Sequence, residues 1–92
     1  MLRIQRSDDR GVVLSLSGRI ETEDVAELQR LLALENAGQQ IAFDMQDVTL
    51  VERGAVEFLA RLELEGITLE NCPAYVREWI AAERNRRNQQ MR

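Results

Sequence analysis

Hydrophobic and polar residues alternate from the start of the chain. Leu2 and Ile4 are separated by Arg3 and Gln5, the pattern of a short half-buried strand. Asp8-Asp9-Arg10-Gly11 reads as a turn, after which Val12, Leu14 and Leu16 point one way and Val13, Ser15 and Ser17 the other. The two segments predict a hairpin whose second strand ends at Gly18. The spacing then becomes helical: Val25, Leu28, Leu31 and Leu32 predict a helix over 23–35, and Asn36-Ala37-Gly38 is its stop signal. Thr22 is its expected N-cap, with Glu23 and Asp24 complementing the helix dipole.

Ile41, Phe43 and Met45 alternate with Ala42, Asp44 and Gln46 as a third strand, and Asp47-Val48-Thr49-Leu50-Val51 is the expected loop after it. Ala55, Phe58, Leu59 and Leu62 predict a second helix closed by Gly66. Ile67 and Leu69 form a last strand. Pro73 suits the first position of a third helix, whose apolar face is Tyr75, Val76, Trp79 and Ile80. The order is β-β-α-β-α-β-α. Strand–helix–strand units imply parallel neighbours joined by right-handed crossovers, which place every helix on one face if consecutive strands are neighbours. Arg3, Gln5, Ser15, Ser17, Asp44, Thr68 and Glu70 then form a polar open face, because strands covered on both sides would read as continuous apolar runs. The expected fold is therefore a two-layer α/β domain: a mixed four-stranded sheet, begun by a hairpin, with three helices on one face.

At 92 residues the chain holds one domain, expected over 1–83 and followed by a basic, flexible tail over 84–92. No apolar run reaches the length of a membrane span, and the first residues lack a signal peptide's apolar core, so a cytoplasmic location without membrane insertion is expected. Charge divides unevenly. Residues 84–92 contain four arginines and no acid, whereas residues 1–83 contain eight arginines and sixteen acids, a net −8. An acidic body argues against nucleic acid as the main partner, and the basic end, which could dock on an acidic surface, is expected to be a solvated helix terminus. There is no histidine, which removes the usual nucleophile pairs, general bases and metal ligands, and the single Cys72 allows neither an internal disulfide nor a thiolate zinc site. No glycine cluster could cradle a phosphate. No cofactor, metal or catalytic residue is expected.

The segment from Asp44 to Val56, Asp-Met-Gln-Asp-Val-Thr-Leu-Val-Glu-Arg-Gly-Ala-Val, resembles the signature of STAS domains, typified by bacterial anti-sigma factor antagonists. In that family an acidic strand end leads through Asp-Val-Thr/Ser to Asp-Ser-Ser-Gly-Leu at a helix start. Leu16-Ser17-Gly18-Arg19-Ile20 also fits the family's pattern before its first helix, and the resemblance spans Leu2 to Ile80. The added strand and helix of many members have no counterpart here. The resemblance implies a non-catalytic protein-interaction module that regulates transcription, with an anti-sigma factor of the kinase-like ATPase type as partner. A variant of that reading is a STAS subunit on a transporter ATPase. The implied contact residues are Asp47, Thr49, Glu52, Arg53, Gly54 and Glu57. Gly54 stands at the family's phosphoacceptor position and has no hydroxyl, so the family's kinase switch is unavailable there; Thr49 is the nearest hydroxyl along the chain.

Other features carry weaker chemistry. Asp44, Asp47 and Glu52 could converge on a hard cation or act as acid and base in a small enzyme or ligand-binding domain, although turn and cap chemistry explains each one separately. Cys72, just before a helix start, could be a reactive thiol; a small half-buried hydrophobe is the expectation. Tyr75 and Trp79 are expected in the core, the alternative for them being an exposed aromatic patch.

Overall fold

A computed structural model describes residues 2–8, 11–35 and 38–90, without the side chains of 87–90. The elements are β1 (Leu2–Asp8), β2 (Val12–Ile20), α1 (Asp24–Ala33), β3 (Ile41–Val51), α2 (Arg53–Leu64), β4 (Thr68–Glu70) and α3 (Ala74–Gln90). The strands lie in the order β1-β2-β3-β4, with β1 antiparallel to β2 and the other pairs parallel. Consecutive strands are thus neighbours, and the predicted α/β architecture is the one observed. Asp9, Arg10, Asn36 and Ala37, which belong to the expected hairpin turn and helix stop, lie outside the described residues.

Register explains the two layers. Arg6, Leu14, Phe43 and Leu69 lie side by side across the sheet, and Gln5, Ser15, Asp44 and Glu70 form the adjacent row on the opposite face. Leu14, Phe43 and Leu69 are buried in one cluster with Leu28 of α1, Val56, Leu59 and Leu62 of α2, and Val76 and Ile80 of α3. Arg6, on the helix side of the edge strand, reaches the end of α1 through a two-pronged contact. Its Nε donates to Glu35 Oε2 at 3.0 Å and its Nη2 to Glu35 Oε1 at 3.0 Å.

The expected loop at 47–51 is instead the second half of β3. Opposite Ser15 lies Asp44, but opposite Ser17 lies Asp47; Gly18 faces Val48, but Arg19 faces Leu50. β3 therefore carries one extra residue at each of two bulges, which changes the interval between buried positions. Met45, Val48 and Val51 are buried at intervals of three, a spacing that alternation alone does not read as a strand. Nor does β2 stop at Gly18, which sits within it at φ +95°, beside the second bulge, where a side chain would be strained.

The helix starts also differ in detail. The N-cap residue of α1 is Glu23, with no side-chain cap, rather than Thr22. Thr22 turns toward α2, and the Asp24 carboxylate accepts the Glu21 N–H at 2.8 Å instead. α1 ends at Ala33, two residues before the expected Glu35. Residues 84–90 continue the backbone of α3, with Arg84 and Arg86 exposed; Met91 and Arg92 lie outside the described residues. Among the described residues no helix is long and apolar enough to cross a membrane.

Candidate partner-binding site

The carboxyl ends of β2 and β3 are held together by Glu52. Its backbone is extended (φ −71°, ψ 153°), and its N–H donates to the Ile20 carbonyl at 2.9 Å. Its own carbonyl accepts from Ala55 N at 2.9 Å and Val56 N at 3.2 Å, which starts α2. The side chain does not cap that helix. Glu52 Oε1 instead accepts the Thr22 N–H at 2.8 Å, so one residue begins α2 through its backbone and fixes the approach to α1 through its carboxylate.

Gly54 closes the same junction from the other side. A Cβ placed there would lie 2.6 Å from Thr22 Oγ1, 2.8 Å from Thr22 Cγ2 and 3.2 Å from Thr22 Cβ. Position 54 is exposed by area, yet it has no room for a side chain while Thr22 is in place. The hydroxyl that meets this position is Thr22's. Thr49, nearest along the chain, is exposed on β3, and the three atoms nearest to a Cβ at position 54 all belong to Thr22.

The remaining implied contact residues face different neighbours. Asp47 is exposed and, with Arg3, Gln5, Ser15 and Ser17, lines a shallow depression on the open face of the sheet. Arg53 is exposed and borders a groove between α2 and α3, and Glu57 is exposed one turn further along α2. Asp44 is half-buried; its Oδ1 accepts from Gln46 N and from Asn71 Nδ2, each at 3.1 Å. Asp44 and Glu52 are therefore held by different partners at different places. Among the described residues no group of three acidic, cysteine or histidine side chains is arranged to hold a metal ion.

Trp79 corrects the expectation of a core aromatic. Val76 and Ile80 point into the core, while Trp79 is 43% exposed. It packs edge-on against Tyr75, with ring centroids 5.8 Å apart and planes at 86°. Tyr75 is half-buried and anchored, its hydroxyl oxygen accepting the Val51 N–H at 3.2 Å. The groove beside Trp79 is lined by Arg53, Val56, Ala82, Glu83 and Arg86 and has a volume of about 350 Å³. Cys72 packs half-buried against the core, and burial pushes its thiol pKa up, opposed by the nearby Arg77. That environment disfavours the thiolate that a nucleophile needs.

Two features escape a reading of the sequence. Thr22 lies thirty-two positions from Gly54, and only a glycine in the first turn of a helix hints that something approaches closely there. The α3 stripe of Tyr75, Val76, Trp79 and Ile80 is wider than the core it meets, so periodicity could not tell which member would be left outside. No family model and no curated protein matches the chain.

Proposed function

We propose that the chain is a non-catalytic protein-interaction module of the anti-sigma factor antagonist type, acting in the bacterial cytoplasm on an anti-sigma factor or a related kinase-like ATPase regulator. It binds through the end of β3 and the first turns of α2, with Arg53 and Glu57 as its exposed charged contacts. The observation that carries this reading is the build of the junction. The Glu52 N–H ties the end of β3 to Ile20 and its carboxylate accepts the Thr22 N–H, while Arg53 and Glu57 beside it remain exposed. A rigid base under exposed charge suits recognition, and pre-organisation lowers the ordering cost of binding. The order of elements is the one that the periodicity predicts, and it leaves the resembling segment at the end of β3 and the start of α2. Binding is not switched at position 54, which has neither a hydroxyl nor space for one.

The test is affinity capture from native bacterial lysate, run in parallel with the wild-type chain and an Arg53→Glu/Glu57→Arg variant, followed by mass spectrometry. An anti-sigma factor retained by the wild type and lost from the variant is the expected result. Its equal retention by both would move the contact elsewhere, and an empty capture, or recovery of a transporter ATPase alone, would replace this reading. Incubating the recovered pair with ATP should leave the mass of the chain unchanged; a phosphate on Thr22 or Thr49 would overturn the unswitched mechanism.

A further inference from the structure

We infer that the groove between α2 and α3 is a docking site for an acidic amphipathic segment of a partner protein, which inserts an apolar side chain beside Trp79 and places carboxylates on Arg53 and Arg86. The inference rests on the reading of the chain as an interaction module and names the chemistry of its partner.

The groove joins an apolar floor to a rim of two arginines, Arg53 and Arg86, and one acid, Glu83, which Arg86 holds. Val56, Trp79 and Ala82 supply the floor, and its volume of about 350 Å³ accommodates one or two large side chains of a peptide. Exposed tryptophan flanked by arginine is the composition in which binding energy concentrates at protein interfaces. The cations are available. Arg53 is exposed and takes part in no ion pair among the described residues. Arg86 holds Glu83 through Nη2, at 2.9 and 3.0 Å, which leaves its Nη1 to donate to a second carboxylate.

Charge complementarity selects the occupant. Residues 1–83 are net −8, whereas the end of α3 carries Arg84 and Arg86, both exposed, with no acid after Glu83. An acidic segment is repelled over most of this surface and attracted at this end, so the field orients it before contact. An anionic bilayer has the same sign but the wrong shape. The indole stands within a groove rather than on a protruding tip, and a lipid surface would also bring its charge toward the acidic body.

Trp79 is the only tryptophan in the chain, so its fluorescence reports directly on the groove. The probe is a synthetic peptide with leucines at helical spacing among glutamates; its counterpart carries lysines in place of the glutamates. The acidic peptide should give a saturable blue shift of Trp79 emission that weakens with added salt, and Arg53→Glu should weaken binding about tenfold or more. An unchanged urea midpoint would show that this variant remains folded. No saturable shift with the acidic peptide, equal binding of the lysine peptide, or a shift seen only with phosphatidylserine vesicles would each overturn the inference. The two proposals fail separately. An anti-sigma factor captured through Arg53 and Glu57 while the peptide leaves Trp79 unchanged would sink the groove alone. Peptide binding with an empty capture would sink the assignment of partner alone.

Discussion

The two faces of the sheet are built from the same four strands and differ only in which residues alternate onto them. On one face Leu14, Phe43 and Leu69 lie in register and disappear under three helices. On the other, Gln5, Ser15, Asp44 and Glu70 lie in register, exposed or half-buried, with no helix above them among the described residues. The difference follows from topology: neighbouring parallel strands joined by crossovers of one hand send every helix to the same side. The bulges in β3 preserve the division. An uninterrupted strand would carry Met45, Val48 and Val51 to alternating faces, whereas one extra residue at each bulge keeps all three buried and leaves Asp47 outside. Sidedness here is maintained by irregularities as much as by alternation.

The largest test of that contrast is Phe43→Ala. Phe43 is fully buried in a central strand, between Leu14 and Leu69. Its removal should cost on the order of 3–5 kcal/mol, through lost burial plus the cavity left behind. For a domain of this size that is a large fraction of total stability, so the urea midpoint should fall steeply. A loss below about 1 kcal/mol would mean that the helices do not close over this face as described.

Gly54→Ala sharpens the contrast by separating exposure from freedom. Glycine to alanine within a helix ordinarily gains up to about 1 kcal/mol, and an exposed position gives no warning against the change. Here the new methyl would meet Thr22 at 2.6 Å. Rotating Thr22 moves its γ atoms away but leaves the two Cβ atoms 3.2 Å apart, so the junction itself has to shift. Overpacking of this kind costs about 1–3 kcal/mol, and the net effect should be destabilising. Thr22→Ala removes both γ atoms. The double variant should therefore be more stable than the two single losses imply, by a coupling on the order of 1 kcal/mol in urea melts. Simple additivity would show that the contact is not what requires glycine.

The parts of the molecule legible in its sequence are those governed by neighbours along the chain. Alternation at 12–16 and 41–45 and helical spacing at 55–62 identified strands and a helix, because each periodicity has one geometric reading over that length. The second half of β3 was not legible, because bulges replace the period of two with intervals of three. Thr22 looked like an N-cap by local rules, yet its partners, Glu52 and Gly54, are thirty residues away or more. Trp79 matched the helical stripe, but among the described side chains of α3 the core fully buries Val76 and Ile80, with Tyr75 half-buried against it. For the candidate site, sequence placed the charged residues at the start of α2 and could not indicate that Glu52 turns to Thr22 while Arg53 borders the groove between α2 and α3. That division depends on what packs beside each turn.

The smallest effect is expected where the contrast is most exposed to doubt, on the open face itself. Thr68→Lys changes an outward residue of the three-residue edge strand β4, whose neighbour in register is Ala42, and it should alter stability by no more than about 0.5 kcal/mol. Ser15→Lys asks more of the surface, because Ser15 is half-buried in a central strand. It lies between Gln5 and Asp44, however, and a lysine opposite an aspartate gains about 0.2–1 kcal/mol across paired strands, which offsets the loss of a small side chain. Its cost should therefore also remain near zero and become slightly larger at high salt, as the pair is screened. If Ser15→Lys instead destabilised the protein as strongly as Phe43→Ala, something would have to cover this face in solution. Sedimentation of the wild type would then reveal a second copy seated on the row of Gln5, Ser15, Asp44 and Glu70. A near-zero cost with a monomeric wild type means that the polar row faces water and that the two sides of one sheet differ in stability by the full worth of a core residue.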